Sequence, residues 1–182
     1  FEICYCDHPS SFTFNLANLG QMDSGSLKEP DIIFSGDKIS DSRLQRELNQ
    51  VKTAKPFFSK SAHKYEMKLR LKSIYVSGDR MYFGLELTNK SNLTYDLDFT
   101  RTYIQDEQKV KRSSFQEKEI IPFYKDSLNT LLGRTRSELV IALPKFTLSG
   151  NKRFCIEFLE KNGERNLFLE IKNHQLLRAR NL

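Results

Sequence analysis

Asp96 and Asp98 come nearest, by type and spacing, to residues that could carry acid–base chemistry. Two carboxylates two apart on a strand share one face at roughly 6 to 7 Å, a separation that a glycosidase-like acid and its partner carboxylate can use. The commoner arrangement of such a pair is a solvated sheet face opposite Lys or Arg. The pair is read that way, and no catalytic residue is assigned. Cys4, Cys6 and His8 make a second row, Cys-x-Cys-x-His, on one side of a strand-like run. Parallel side chains two apart cannot form an unstrained disulfide, and the row lacks the fourth ligand and loop spacing of a zinc site. These are read as small buried side chains, so no metal and no other cofactor is expected. With Cys155 the chain has three cysteines, which cannot all pair internally. His63 and His174 have no partner that spacing identifies. The sequence contains no Gly-rich phosphate loop, nucleophile elbow or His-rich zinc motif. Asn89-Lys90-Ser91 and Asn92-Leu93-Thr94 match glycan-acceptor patterns, which carry little weight without a secretory signal.

The elements that must position these residues are mostly strands. Met81, Phe83, Leu85 and Leu87 alternate with Tyr82, Glu86 and Thr88, the period of two of a half-buried strand. After the turn-prone Asn89-Lys90-Ser91-Asn92, Tyr95, Leu97 and Phe99 share one face and Asp96 and Asp98 the other. The two runs read as neighbouring strands of one sheet, and beyond Phe99 the phase slips at Arg101 to Ile104. Lys64 to Lys72 alternates in the same way, with Tyr65, Met67, Leu69 and Leu71 on one side. A two-residue loop at Gly78-Asp79 would set Leu71 opposite Glu86. A longer loop or a bulge restores Leu71 opposite Leu85 and Leu69 opposite Leu87.

Glu138 to Leu143 is a further strand ended by Pro144, and Glu119 to Tyr124, carrying Pro122, is an edge strand or bulge. Val110 to Ser114 reads as a short edge strand protected by Lys109, Lys111 and Arg112. In the last hairpin Asn162-Gly163 suits a type I′ turn, pairing Phe158 with Leu167, Ile156 with Leu169 and Phe154 with Ile171, and setting Glu160 against Arg165 and Lys161 against Glu164. Leu128, Leu131 and Leu132, in the polar stretch 125–136, are read as caps on the core.

Ahead of this sandwich domain (64–182) lie a β-hairpin at 1–17, a Gly- and Ser-rich linker at 18–40 and one helix at 41–55. Ser42-Arg43-Leu44-Gln45 resembles a capping box. Leu44, Leu48 and Val51 follow at helical spacing, and Pro56 stops the helix. Its apolar stripe is expected to close one end of the sheet domain. The fold class is therefore mainly β, an immunoglobulin-like β-sandwich of about seven or eight antiparallel strands with one short helix before it and an N-terminal hairpin.

The 182 residues suffice for one ordinary core, with 14 Phe and 7 Tyr as bulky material. The net charge of +6 invites an acidic partner, yet Lys and Arg mostly alternate with apolar residues along strands. That is a solvated face, and no direct nucleic-acid site is read. The longest apolar run is far short of a bilayer span. Without an initiator Met or signal, the chain reads as a fragment, the hairpin being the tail of an upstream domain.

Met81 to Leu182 resembles the C-terminal domain of the conjugative transposon TraN proteins of Bacteroidetes. The matching words are Asn89-Lys90-Ser91-Asn92, Asp96-Leu97-Asp98-Phe99, Lys109-Val110-Lys111-Arg112, Gln116-Glu117, Pro122, Lys145-Phe146-Thr147, Glu160-Lys161-Asn162-Gly163 with Arg165, and Arg178-Ala179-Arg180. They stand in family order over roughly the last 100 residues, and Phe1 to Ala17 resembles the last strands of that family's N-terminal domain. The resemblance implies a non-enzymatic subunit of a type IV secretion apparatus, periplasmic and associated with the outer membrane. Its implied partners are a lipoprotein and a larger channel protein, with self-association and only indirect membrane contact. A full protein with a signal peptide is implied as well. The interaction candidates are Phe1, Ile3, Tyr5, Phe12 and Phe14 of the hairpin, with Lys111 and Arg112 of the edge at Val110 to Tyr124. The alternative is a surface adhesin or glycan-binding module presenting Tyr82, Phe123 or Tyr124.

Overall fold

The structure is a computed structural model and describes residues 41–106, 117–149 and 151–182. The hairpin at 1–17, the linker at 18–40 and the edge strand at Val110 to Ser114 lie outside these. The described chain runs α1 (Asp41–Thr53), β1 (Ser61–Lys64), β2 (Met67–Ser77), β3 (Arg80–Asn89), β4 (Tyr95–Asp106), β5 (Lys118–Glu119), β6 (Tyr124–Lys125), β7 (Thr130–Leu131), β8 (Arg136–Pro144), β9 (Lys152–Glu160), β10 (Leu167–Lys172), α2 (Asn173–Leu176) and β11 (Arg180–Asn181). One sheet has the order β1-β2-β3-β8-β6, with β11 also on β2; the other has β10-β9-β4-β5, with β7 also on β4. Seven strands have four residues or more. The class is the expected β-sandwich. Among the described residues no helix is long and apolar enough to cross a membrane.

Alternation makes the sandwich. Leu69, Leu71, Phe83, Leu85, Leu87, Ile141 and Leu143 face inward from the first sheet, and Phe154, Ile156, Phe158, Leu167, Leu169 and Ile171 meet them from the second. Each fully buried Leu or Phe contributes about 2 kcal/mol of transfer free energy. Leu69 pairs with Leu87 and Leu71 with Leu85, and the register then shifts between Leu71 and Ser73. Lys72 is the bulged residue, so the bulge reading holds and the turn keeps two residues, Gly78 and Asp79.

Three expectations about strands and turns are corrected. The first is the start of the long strand. It begins at Met67, because Tyr65 and Glu66 take φ of 43° and 62° and turn the chain back as the hairpin β1–β2. Tyr65 is accordingly exposed. Second, β3 and β4 belong to different sheets. The Asn89 amide ties the crossover between them, donating to Leu93 O at 2.7 Å and accepting from Ser91 Oγ at 2.7 Å, so the polar run switches layers. Third, the Asn162-Gly163 turn is wider than type I′. The three expected pairs form, but only Asn162 has positive φ. Asn166 accepts from the Glu160 N–H at 2.9 Å, which opens a loop across 161–166.

Helix α1 covers the outer face of the first sheet rather than an end. Leu48 and Val51 pack on Tyr82, Val140 and Ala142, with Leu44, Tyr75, Tyr124 and Leu182 around them. The outward residues there are small or aromatic, so the sheet offers a trough. Gly84 forms its floor: a Cβ at that position would stand 2.4 Å from Ser73 Oγ and 3.3 Å from Val51 Cγ1. Gly84→Val is expected to cost about 2 to 3 kcal/mol by overpacking, read as a lower urea midpoint with unchanged slope. Polar braces hold the helix at its middle and in its last turn. Glu47 accepts from Tyr82 Oη at 2.5 Å and Ser77 Oγ at 2.8 Å. In the last turn Lys52 reaches Asp126 at 2.7 Å, and buried Lys72 donates to the Lys52 carbonyl while pairing with Glu138 at 2.6 Å.

Candidate interaction surface

The segment after residue 116 passes from one sheet to the other. On the second sheet β5 pairs with β4, the Ile120 N–H donates to Thr102 O at 2.9 Å, and Thr102 Oγ1 donates to Ile120 O at 2.5 Å. On the first sheet the Phe123 N–H donates to Ala142 O at 3.1 Å and the Asp126 N–H to Val140 O at 3.0 Å. Between these anchors stand Ile121 and Pro122. Proline has no N–H to extend a ladder, and the chain leaves one layer for the other there. Ile121 is 78% exposed and Phe123 45% exposed. The Phe123 ring lies edge-on to Tyr82 at 6.4 Å, with the Arg80 guanidinium 5.9 Å from its centroid. An apolar pair is thus held outward by backbone bonds on both sides, beside a cation that also pairs with Glu47 at 3.7 Å. Exposed apolar side chains on fixed backbone, rimmed by a cation, are the kind of patch that protein interfaces use.

This surface falls within Val110 to Tyr124, the edge singled out by sequence, though the residues singled out there differ. Lys111 and Arg112, like Phe1, Ile3, Tyr5, Phe12 and Phe14, lie outside the described residues. Ile121 was not singled out, and its signal is the triplet Ile121-Pro122-Phe123 set among charged and polar residues.

The other candidates disperse. Register shifts between Leu97 and Phe99, leaving Asp98 as an extra residue in β4, so the two carboxylates are not successive members of one face and Phe99 turns outward. Asp96 Oδ1 accepts from Thr130 Oγ1 at 2.9 Å, and both Asp residues line a polar cavity of about 550 Å³ with Asn129, Thr130, Lys161 and Asn162. His63 sits with Ser61 Oγ at 2.9 Å. Among the described residues no group of three or more His, Cys, Asp or Glu is placed to hold a metal ion. Cys155 is buried, and that burial, with the Glu170 charge, pushes its thiol up to about 12. Tyr82 is fully buried under α1, so the expected aromatic platform loses one of its three members. Tyr124 donates to Asp126 at 2.8 Å. Leu131 is buried and Leu128 packs on the core, but Leu132 is exposed.

No curated protein and no solved structure matches the chain. A protein-family profile does match, over residues 42–181. That span takes in α1 and both sheets, and by it the chain belongs to the family described as "Domain of unknown function (DUF4138)".

Proposed function

We propose that this chain is a non-enzymatic structural subunit of a conjugative transfer apparatus of the type IV secretion kind, acting in the periplasm at the outer membrane through protein–protein contacts. Two things support the reading: the ordered words from Asn89 to Arg180 that resemble the TraN proteins, and the exposed pair Ile121 and Phe123 on a braced crossover. The second observation carries it. Exposed apolar side chains on fixed backbone lose little conformational freedom on docking, which favours association. The partners are a lipoprotein and a larger channel protein.

An affinity pull-down of the full-length protein from cells carrying the mobile element tests this. Ile121→Glu with Phe123→Glu is expected to reduce recovery of both partners at least about tenfold, since central apolar contacts dominate interface energies. Lys111→Glu with Arg112→Glu should also reduce it. Unchanged recovery in both double variants, each still folded by circular dichroism, would sink the surface assignment. The adhesin or glycan-binding alternative retains the polar cavity beside Asp96, and a glycan array bound by the wild type but not by Asp96→Ala would favour it.

A further inference from the structure

Three loops meet at the end of the sandwich where β1 turns into β2. The Lys90 N–H donates to Glu66 O at 2.8 Å, the Asn89 N–H to Thr135 O at 2.9 Å, and the Arg134 N–H to Ser91 O at 3.0 Å. Arg134 Nε also donates to Asn92 Oδ1 at 2.9 Å. Gly133 lets these strands of loop touch, because a Cβ there would meet the Asn92 carbonyl oxygen at 2.6 Å. The shape of this end is therefore set by backbone bonds. Into it come Lys64, Lys68, Lys90, Arg134 and Arg136, from three separate stretches of sequence. Lys68 and Arg136 belong to one cross-strand row, each paired with Thr88 between them.

Five cations and one carboxylate, Glu66, line the two cavities here, with Glu86 and Glu138 in the next cross-strand row. Among the described residues none of the five has a carboxylate within ion-pair distance, whereas Arg43, Lys52, Lys72, Arg80, Arg101, Arg153 and Arg165 all do. Two adjoining cavities, about 240 and 380 Å³, share Glu66 and Lys90 on their walls. Backbone conformation adds an independent observation. Four non-glycine residues among those described have positive φ, and three of them, Tyr65 at 43°, Glu66 at 62° and Arg134 at 59°, line this groove. A two-residue turn of this kind normally takes Asn-Gly. Tyr65 is 63% exposed and adds nothing to the core. Left-handed backbone carrying such side chains is found where the side chains themselves are used.

We propose that this groove binds an extended acidic polypeptide segment of a partner protein. The inference rests on the protein-contact reading above and names the chemistry of one partner. Carboxylates match the two guanidinium forks and the three ammonium groups. Glu66, shared by both cavities, accepts from peptide N–H groups, while the exposed Tyr65 ring, with Lys64 Nζ 5.4 Å from its centroid, offers a flat apolar contact. A nucleic-acid backbone is the poorer fit, because it presents only acceptors and negative charge to Glu66.

The test is fluorescence anisotropy on the full-length protein with a labelled peptide of alternating Glu and Ala, and with single-stranded oligo-dT as competitor. Saturable peptide binding is expected that weakens at least about tenfold in Lys68→Glu with Arg136→Glu, and stays within about twofold in the control Lys145→Glu with Lys152→Glu, exposed at the opposite end of the strands. Equal loss in the control, tighter binding of oligo-dT, or no saturable binding overturns the proposal. The two readings fail separately. A groove that fails while the Ile121 and Phe123 variants still lose their partners leaves the subunit reading standing, and peptide binding without any co-purifying partner does the reverse.

Discussion

Replacing Arg165 by Ala is expected to lower the unfolding free energy by about 3 to 5 kcal/mol, the cost of breaking a buried ion pair. Its side chain is 14% exposed and pairs with Glu160, itself 9% exposed. The same guanidinium donates to Thr94 O at 2.6 Å and to Ser91 Oγ at 3.2 Å, and it lies 5.4 Å from the Tyr95 ring centroid. One fork thus ties the β9–β10 loop to the crossover that carries the chain from β3 in one sheet to β4 in the other. Alanine would leave the Glu160 carboxylate buried without its cation, and the Thr94 carbonyl without its donor. Arg165→Lys keeps the charge but cannot reach three acceptors in a plane, so it should recover less than half of the loss. Thermal unfolding would show the alanine variant lower by about 6 to 20 °C. A fall of less than 2 °C, in this domain of ordinary size, would mean that the crossover is held by Asn89 and the backbone alone.

Glu47→Ala should cost about 3 kcal/mol, through hydroxyl groups left without an acceptor and two cations, Arg43 and Arg80, left without this partner. The side chain is 10% exposed. Burial would raise its pKa from the ordinary 4.5, but hydrogen bonds from Tyr82, Ser77 and Arg43 outweigh that and hold it lower. A depressed carboxylate contributes stability that is present above its unfolded pKa and is lost as pH falls through its folded one. The wild type should therefore lose this stability below pH 4.5, and Glu47→Ala should show a flatter acid limb. Tyr82 is the mirror case. Burial first, and then donation to Glu47, push its phenol from 10.0 up to about 12. That stability is full below pH 10 and is lost as pH rises through about 12, so Tyr82→Phe makes the alkaline limb shallower. Urea midpoints across pH check both signs. An alkaline limb in Tyr82→Phe as steep as that of the wild type would show that Tyr95, Tyr103 and Tyr124, whose phenols are also raised, carry it instead.

What could be read from sequence was what side-chain period controls. Leu69 against Leu87, Phe154 against Ile171 and the stripe of Leu48 and Val51 follow from which residues must leave water, and those pairings formed. Sheet membership was harder, because β3 and β4 have inward faces of the same kind and alternation does not say which layer a strand joins. Tyr65-Glu66 gave no turn signal, since neither residue favours positive φ. At Asn162-Gly163 the turn signal was strong, but the Glu160–Arg165 pair and the Asn166 amide made a wider loop. The basic groove was the least legible feature. Lys64 and Lys68 looked like the wet side of one strand, while Lys90, Arg134 and Arg136 lay in segments whose meeting depends on three loop-to-loop backbone bonds.

Strand β11 lies parallel to β2, with Arg180 beside Tyr75 and Asn181 beside Val76. Arg180 stacks on Phe57 at 4.1 Å, and Leu182 packs into the cluster beneath α1. The flank of β2 is thus completed by residues more than a hundred positions further along the chain. Such distant pairing is slow to form, because a long loop must close before any contact rewards it. During synthesis the helix and its trough would stay partly uncovered until residues 180–182 have emerged. Closure of that flank is expected late in folding, and its rate sets how long an unfinished sheet edge beside Tyr75 and Val76 stays available to other chains.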